Sequence, residues 1–204
     1  MISLPLHEFF IFMRTRFLFL LVLMLVVSLF TACHQRAIPK PYGYYRIAIP
    51  DTAYAYCDLK GYPYTFRLSK NAYVDTVKQA GEVYWIDIQY PSLNATVHCS
   101  YKQVNGNLRA LSKDAQEFLY SHSTVASAIP MQEYGDEQRR VYGMYFELHG
   151  NTATPMQFYL TDSTEHFFRG SVYCNTVPNK DSLAPIYDYL RKDARMIMES
   201  MKWR

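Results

Sequence analysis

Three short segments in the second half of the chain alternate apolar and polar residues with a period of two, as half-buried β-strands do. Residues 149–151 and 161–164 separate these segments and are rich in Gly, Asn, Asp, Ser and Thr, which favour turns. The pattern predicts three consecutive strands joined by tight polar turns. The apolar positions predict the side of each strand that faces a core: Tyr142, Met144, Phe146, Leu148, Met156, Phe158, Leu160, Phe168, Val172 and Cys174.

The opposite side of these strands is polar and rich in tyrosine. It carries Tyr145, Glu147, His149, Gln157, Tyr159, Thr161, Arg169, Ser171 and Tyr173. Glu147 and Arg169 share this parity, so we expect them to be able to pair on the polar side of the sheet. A structural ion pair is favoured over a catalytic acid, since isolated pairs commonly only satisfy each other.

Shorter alternating segments elsewhere predict further strands. They cover residues 44–49, 54–57, 64–68, 73–77, 83–90, 95–101 and 126–132. In the segment 83–90, Ile86, Ile88 and Tyr90 fall on one side and predict a core face. Residues 134–140 are charged and predict a loop. These segments extend the predicted β-structure well beyond the three central strands.

Two segments have the helical period instead. The first is predicted at residues 107–124, and its apolar side also carries His122, which we expect to be a satisfied core histidine. The second is predicted to begin at Asp181 or Ser182, because both are good N-caps. Its apolar positions are Leu183, Ile186, Leu190, Ala194, Ile197 and Met201.

Together the elements predict one α+β domain over residues 43–204, with a mostly antiparallel β-sheet packed with two amphipathic helices. The layout is reminiscent of PsbP/Mog1-like sandwiches, which is an analogy of fold alone.

The start of the chain has the pattern of a secretory signal. Residues 17–30 form an apolar run interrupted only by Ser28, and Arg14 and Arg16 stand just before it. A basic region followed by an apolar run predicts a signal peptide over residues 1–32. The run is shorter than the roughly 20 apolar residues of a comfortable bilayer span.

Cys33 follows this run as the cysteine of a lipobox does, directly after Thr31 and Ala32. We predict that Cys33 receives the lipid and becomes the mature N-terminus, and that residues 33–42 are a short tether. The tether reaches only about 30 Å at about 3.3–3.6 Å per residue. The domain is therefore predicted to lie close to its membrane.

Two further points concern targeting. A conventional n-region begins at Met13, so the start at Met1 or at Met13 stays open. His34 follows the lipidation site, whereas an Asp at this position would resemble an inner-membrane retention signal. No acidic cluster of the surface-export type follows Cys33. The predicted location is the periplasmic face of the outer membrane.

Composition narrows the functional classes. Half of the 204 residues are hydrophobic and 19 are Tyr, which is typical of a packed protein and not of a disordered one. The formal net charge is +3, and removal of the leader takes away Arg14, Arg16 and Glu8. The near-neutral remainder has no basic stripe, which argues against a nucleic-acid-binding surface.

The polar motifs do not predict catalysis. Asp162, Ser163 and His166 are the residue types of a nucleophilic triad, but they crowd onto one turn, whereas triad members normally converge from separate elements. We predict a side-chain-bonded turn, which is not catalytic. His98 and His149, like the other histidines, lack the spacing of metal ligands, so neither a metal nor another cofactor is predicted.

Three cysteines remain after the leader: Cys57, Cys99 and Cys174. An oxidising compartment permits one disulfide, and the partners stay open because the number is odd.

Several residues of the central strands and the C-terminus form a recognisable pattern. They are Glu147, Leu148, Gly150, Asn151, Thr154, Pro155, Gln157, Phe158, Tyr159, Thr161, Asp162, Ser163, His166, Phe167, Arg169, Gly170, Tyr173 and Asn175, with residues 181–185 and Lys202-Trp203. In these the chain resembles the gliding motility-associated lipoprotein GldD family of Bacteroidetes, over most of its length after Cys33.

The resemblance implies a membrane-anchored, non-enzymatic accessory role in gliding motility and the associated type IX secretion machinery. The implied partners are the membrane, through the lipid anchor, and other envelope lipoproteins or motility and secretion components. Candidate interaction residues are Glu147, Gln157, Tyr159, Asp162, His166, Arg169 and Tyr173. Two alternatives stay open: a periplasmic lipoprotein hydrolase using the turn from Asp162 to His166, and a small-ligand-binding lipoprotein with an aromatic pocket.

Overall fold

A computed structural model describes residues 6–31, 47–57, 59–78, 81–121 and 126–204. The chain divides into two compact units, Met1–Gly43 and Tyr44–Arg204. The first unit contains one helix, α1 (Leu6–Thr31), which includes the apolar run of the predicted signal. In the described part of the chain, no helix is long and apolar enough to cross a membrane. Cys33 and the tether lie outside the described residues.

The second unit is built on a seven-stranded sheet in which every neighbouring pair is antiparallel. In spatial order its strands are β4 (Tyr73–Thr76), β5 (Ile86–Tyr90), β6 (Ala95–Gln103), β12 (His166–Cys174), β11 (Met156–Thr161), β9 (Val141–Glu147) and β8 (Met131–Asp136). The three central strands of the sequence analysis are therefore neighbours in the sheet.

Small two-stranded sheets flank this large sheet. They pair β1 (Tyr54–Tyr56) with β3 (Arg67–Ser69), β13 (Lys202–Trp203) with β2 (Tyr64–Thr65), and β10 (His149–Gly150) with β7 (Ala126–Ala128). Among its described residues, this unit has a 3-10 turn at Pro91–Leu93 and the helices α2 (Leu108–Ser121) and α3 (Lys180–Ser200). The α+β class, with a mostly antiparallel sheet and two amphipathic helices, is confirmed.

The main core lies between one face of the sheet and the layer formed by α3 and the N-terminal strands. Tyr64 and Phe66 are fully buried there, and the Tyr64 ring contacts the Phe168 ring with 4.8 Å between centroids. The apolar stripe predicted for α3 is buried in the same cluster. We call this side of the sheet the core face; it includes Ile88, Val97, Phe158, Phe168 and Tyr145.

Polar contacts fasten the N-terminal strands to α3. The buried Asp193 carboxylate accepts a hydrogen bond of 2.7 Å from the Tyr54 hydroxyl. Burial raises the pKa of Asp193. The Ser69 and Tyr189 hydroxyls are 2.8 Å apart, and the Arg67 amide donates to Ser200 Oγ at 2.7 Å. These contacts join segments more than 100 residues apart in sequence.

The opposite side of the sheet, which we call the second face, carries Asp87, Ser100, Arg169, Tyr159 and Met144. Helix α2 covers part of it. Leu119 of α2 is buried with Phe146 and Leu148, and Ala115 is buried with Val104 and Phe167. Both faces of the central strands are therefore buried over part of their length.

Strand β9 was assigned to the wrong faces. Gly143 pairs with Leu160 and Tyr145 with Phe158, so the odd-numbered residues of β9 lie on the core face. Tyr145 is 3 % exposed, whereas Met144 lies in the apolar contact under α2. The prediction failed because β9 is apolar on both sides, and its alternation therefore does not identify the layer that each side meets.

Three boundaries also differ from prediction. Residues 47–49 form no strand, and residues 44–46 lie outside the described part. The predicted loop 134–140 contains the end of β8, because Tyr134 pairs with Gly143 of β9. The predicted strand 126–132 is divided between β7 and β8.

Helix α3 begins earlier than predicted. Its N-cap is Asn179, whose side chain accepts the amides of Asp181 and Ser182 at 3.2 Å each. Asp181 and Ser182 are therefore residues of the first turn and do not cap it. A carboxylate in the first turn favours the helix N-terminus.

Candidate functional site

Glu147 does not pair with Arg169, because the two side chains lie on opposite faces of the sheet. Glu147 pairs in register with Met156 on the core face, whereas Arg169 pairs with Tyr159 on the second face. Glu147 instead pairs with Arg191 of α3, with 2.9 Å between Oε1 and Nε, and its Oε2 lies 3.4 Å from His149 Nε2. Its carboxylate therefore fastens α3 to strand β9.

Gln157 is also buried and makes its contacts within the fold. It is 2 % exposed, and its side-chain amide donates to Thr154 Oγ1 at 3.0 Å. Thr152 is also buried and donates to the backbone carbonyls of Leu148 and Thr154. Gln157 thus helps to order the loop between β10 and β11, and is inaccessible as an interaction residue.

Asp162 organises the turn between β11 and β12. Its carboxylate accepts the backbone amides of Thr164, Glu165 and His166 at 2.8–3.0 Å, and the Thr164 hydroxyl at 2.7 Å. Ser163 lies in this turn with a φ of 71°. Burial by itself raises the pKa of Asp162, but these hydrogen bonds outweigh it and lower the pKa to about 2.

The imidazole of His166 points away from that carboxylate. Its Nδ1 is 2.7 Å from the Tyr101 hydroxyl, and its ring stacks on Trp203 with 5.0 Å between centroids. Asp162 therefore contacts the backbone of His166, whereas a triad requires a contact with the ring. The turn therefore lacks the Asp–His ring contact of a triad, and its non-catalytic role stays a prediction.

Replacement of Asp162 by Asn is expected to lower the free energy of unfolding at neutral pH by about 1 kcal/mol, because charge-assisted hydrogen bonds are stronger than neutral ones. The folded-state pKa of about 2 lies below the ordinary value of 3.8. The wild-type carboxylate therefore stabilises the fold above about pH 4, and this contribution is lost as the pH falls through about 2.

Urea unfolding at several pH values measures both effects. Asp162→Asn should flatten the wild-type loss of stability between pH 4 and pH 2. Glu165→Gln removes a charge from the same turn and should leave that loss unchanged. A steep acid loss retained in Asp162→Asn would show that another group is responsible.

Besides the buried Gln157, three of the predicted interaction residues share the second face: Tyr159, Arg169 and Tyr173. The Tyr159 ring stacks on Phe167 at 5.3 Å. The Arg169 guanidinium lies 4.3 Å from the centroid of the Phe118 ring of α2. Within the described residues it forms no ion pair, and burial lowers its pKa. Tyr173 lies edge-on to His98 at 5.2 Å.

Beside α2, Arg169 and Tyr173 border an open groove of about 390 Å³. The side chains that line it include Trp85, His98, Ser100, Phe118, Arg169 and Tyr173. His98 Nδ1 is 2.7 Å from an oxygen of Asp87. The sequence pattern did not reveal that Trp85 and His98 lie near Arg169.

The remaining candidates form no reactive cluster. No group of three His, Cys, Asp or Glu residues suited to a metal ion occurs in the part of the chain that the structure describes. Cys57, Cys99 and Cys174 form no disulfide with one another, so the permitted bridge is not formed in this structure. Burial raises the pKa of the Cys174 thiol to about 11, which keeps it protonated at neutral pH. His122 lies outside the described residues.

Among curated proteins, no match to the sequence is found. Among solved structures, the chain is similar to the solution structure of cyanobacterial PsbP (CyanoP) from Synechocystis sp. PCC 6803. The TM-score is 0.46 and the sequence identity is 7 %, over 80 % of this chain and 99 % of that chain. The sequence model of the gliding motility lipoprotein GldD family matches residues 34–203. This match covers most of the chain and confirms the resemblance seen in the sequence: the protein belongs to the gliding motility lipoprotein GldD family.

Proposed function

We propose that this protein is a non-enzymatic accessory component of the gliding motility and type IX secretion machinery, and that it acts by docking other envelope proteins near the membrane. The observation that carries the proposal is the family match, which begins immediately after Cys33 and extends to residue 203. A gliding motility lipoprotein is membrane-associated and has protein partners, and the rest of the proposal specifies how.

The anchor is the lipid on Cys33, after removal of residues 1–32. A tether of residues 33–42 limits the distance between the membrane and the folded unit to about 30 Å. We place the anchor in the periplasmic face of the outer membrane. A partner must then lie in the same membrane or at its immediate surface.

A docking role agrees with the way in which the polar residues are used. The hydrolase alternative depends on Asp162 and His166. The Asp162 carboxylate is already bonded to the backbone of its own turn, and the His166 ring to the hydroxyl of the buried Tyr101. By contrast, the second face presents tyrosine and arginine, the residue types that contribute most to protein interfaces. Arg169 and Tyr173 are therefore the proposed docking residues.

We expect Cys33→Ala to release the protein from membranes or to leave it as an unprocessed precursor, and to reduce gliding and secretion in a strain that depends on this gene copy. The physical reason is that only a covalent lipid keeps the folded unit within reach of its partners. Membrane fractionation, the mass of the mature N-terminus, colony spreading and secreted protein are measured together.

Cys57→Ala is the matched control, because it removes a cysteine that is only partly buried within the folded unit. It should fractionate and function like the wild type. A wild-type protein that partitions as a soluble protein would overturn the anchor. Normal gliding and secretion in a full deletion, in a host that has both activities, would overturn the function.

A further inference from the structure

Arg169 has an unusual electrostatic position. It lies in the middle of β12 and is held between Tyr159 of β11 and Ser100 of β6. Burial lowers its pKa, an effect that the attraction of Tyr173 and Asp114 only partly offsets. No carboxylate approaches within ion-pair distance of it in the described ranges. Removing a cation from water without a counter-ion costs free energy. An anion that enters the groove would therefore be attracted to this guanidinium.

The neighbouring charges favour one negative charge over two. Asp87 borders the same groove but is already engaged with His98 at 2.7 Å. A dianion would meet one free guanidinium and also the repulsion of Asp87 and Asp114. A carboxylate carries a single charge, and its two oxygens match the planar fork of a guanidinium.

Hydroxyl donors lie beside the guanidinium. Ser100 and Ser171 both border the groove on the second face. Neither hydroxyl makes a side-chain hydrogen bond with any residue that the structure describes. Each is therefore available to donate to an oxygen bound at Arg169, which would strengthen the preference for an oxyanion.

The rest of the groove is suited to an apolar group next to the charge. The indole nitrogen of Trp85 is already bonded to the Tyr101 carbonyl at 3.0 Å, and Lys102 Nζ lies 5.3 Å from the ring centroid. The remaining ring surface offers an apolar contact. Phe118 and Tyr173 add aromatic surface on the other sides. The volume of about 390 Å³ falls within the range of ligand-sized pockets and accommodates one or two side chains.

We propose that this groove binds an acidic segment of a partner protein, with a carboxylate on Arg169 and an adjacent aromatic or aliphatic side chain against Trp85. The proposal rests on the docking function proposed above and identifies the surface and the chemistry that docking uses.

The test is a titration of the full-length lipidated protein in detergent. Binding is monitored through the fluorescence of Trp85 in a Trp203→Phe background. The probes are the peptides acetyl-Gly-Phe-Glu-Gly-amide and acetyl-Gly-Phe-Gln-Gly-amide, which differ in one charge. The Glu peptide is expected to bind at least about tenfold more tightly than the Gln peptide. This comparison needs no variant of Arg169.

Arg169→Gln should abolish the difference in affinity between the two peptides. Arg169→Lys should retain only part of it, because an ammonium group lacks the planar pair of N–H donors of a guanidinium. Arg109→Gln, which removes an exposed arginine from α2, should retain the full difference. Equal binding of the two peptides, no binding of either, or an unchanged preference in Arg169→Gln would each overturn the proposal.

Phenyl phosphate is the third probe and tests the other common anion. Tighter binding of phenyl phosphate than of the Glu peptide would assign the groove to phosphate groups, including lipid headgroups, and would overturn the carboxylate proposal. None of these results affects the Cys33 and deletion experiments, which do not alter the groove. Failure of the groove and failure of the docking function are therefore distinguishable.

Discussion

Replacement of Phe168 by Ala is expected to lower the free energy of unfolding by about 4 kcal/mol, which is a large part of the stability of a typical domain. Phe168 is fully buried at the centre of the core face. Its ring lies 4.8 Å from that of Tyr64 and 6.1 Å from that of Phe66, both of which belong to the N-terminal layer. The truncation would leave a cavity between the sheet and that layer.

Equilibrium urea unfolding of the purified protein measures this loss. Tyr73→Ala on the edge strand β4 is the control, because Tyr73 is also aromatic but is 54 % exposed. We expect it to cost less than about 1 kcal/mol. Similar losses for the two variants would contradict the assignment of Phe168 to the main core.

Gly143→Ala is expected to cost about 3 kcal/mol, near the upper end of the range for overpacking. A Cβ atom at Gly143 would lie 2.0 Å from the Tyr159 carbonyl oxygen and 2.9 Å from a methyl carbon of Leu160. A side chain could rotate away, but the carbonyl belongs to the backbone of β11. Strands β9 and β11 would therefore have to separate.

Gly135→Ala is a close control. Gly135 lies on the adjacent strand β8, and its nearest neighbour to an added Cβ is a ring carbon of Tyr142 at 3.8 Å, an ordinary contact. Both substitutions remove the same freedom from the unfolded chain, so their difference isolates the close approach at Gly143. Thermal or urea unfolding compares them, and equal stabilities would refute the steric argument.

The architecture has a consequence for function. The core face is closed by α3 and the N-terminal strands, whereas α2 covers only part of the second face. Glu147 and Gln157 therefore make contacts within the fold, whereas Arg169 borders an open groove. Of the side chains that the sequence pattern placed on one polar surface, Arg169, Ser171 and Tyr173 border this groove.

The sequence by itself determined the local features. The alternation of Ile86, Ile88 and Tyr90 correctly assigned the buried side of β5. The apolar stripe of α3 was also correct, because a helix with one apolar side must bury that side. The side-chain-bonded turn at Asp162 was visible because Asp, Ser and Thr bond to amides only a few residues away. Each of these features depends on neighbours in sequence.

Only the tertiary structure decided which side chains meet. A period of two separates the sides of a strand but does not say which layer each side faces, and β9 is apolar on both sides because two layers cover it. The register that places Arg169 beside Ser100 joins residues far apart in the chain. Hydrogen bonding between strands and packing of α2 and α3 set that register. Glu147 therefore reaches Arg191, whereas no carboxylate of the described residues forms an ion pair with Arg169.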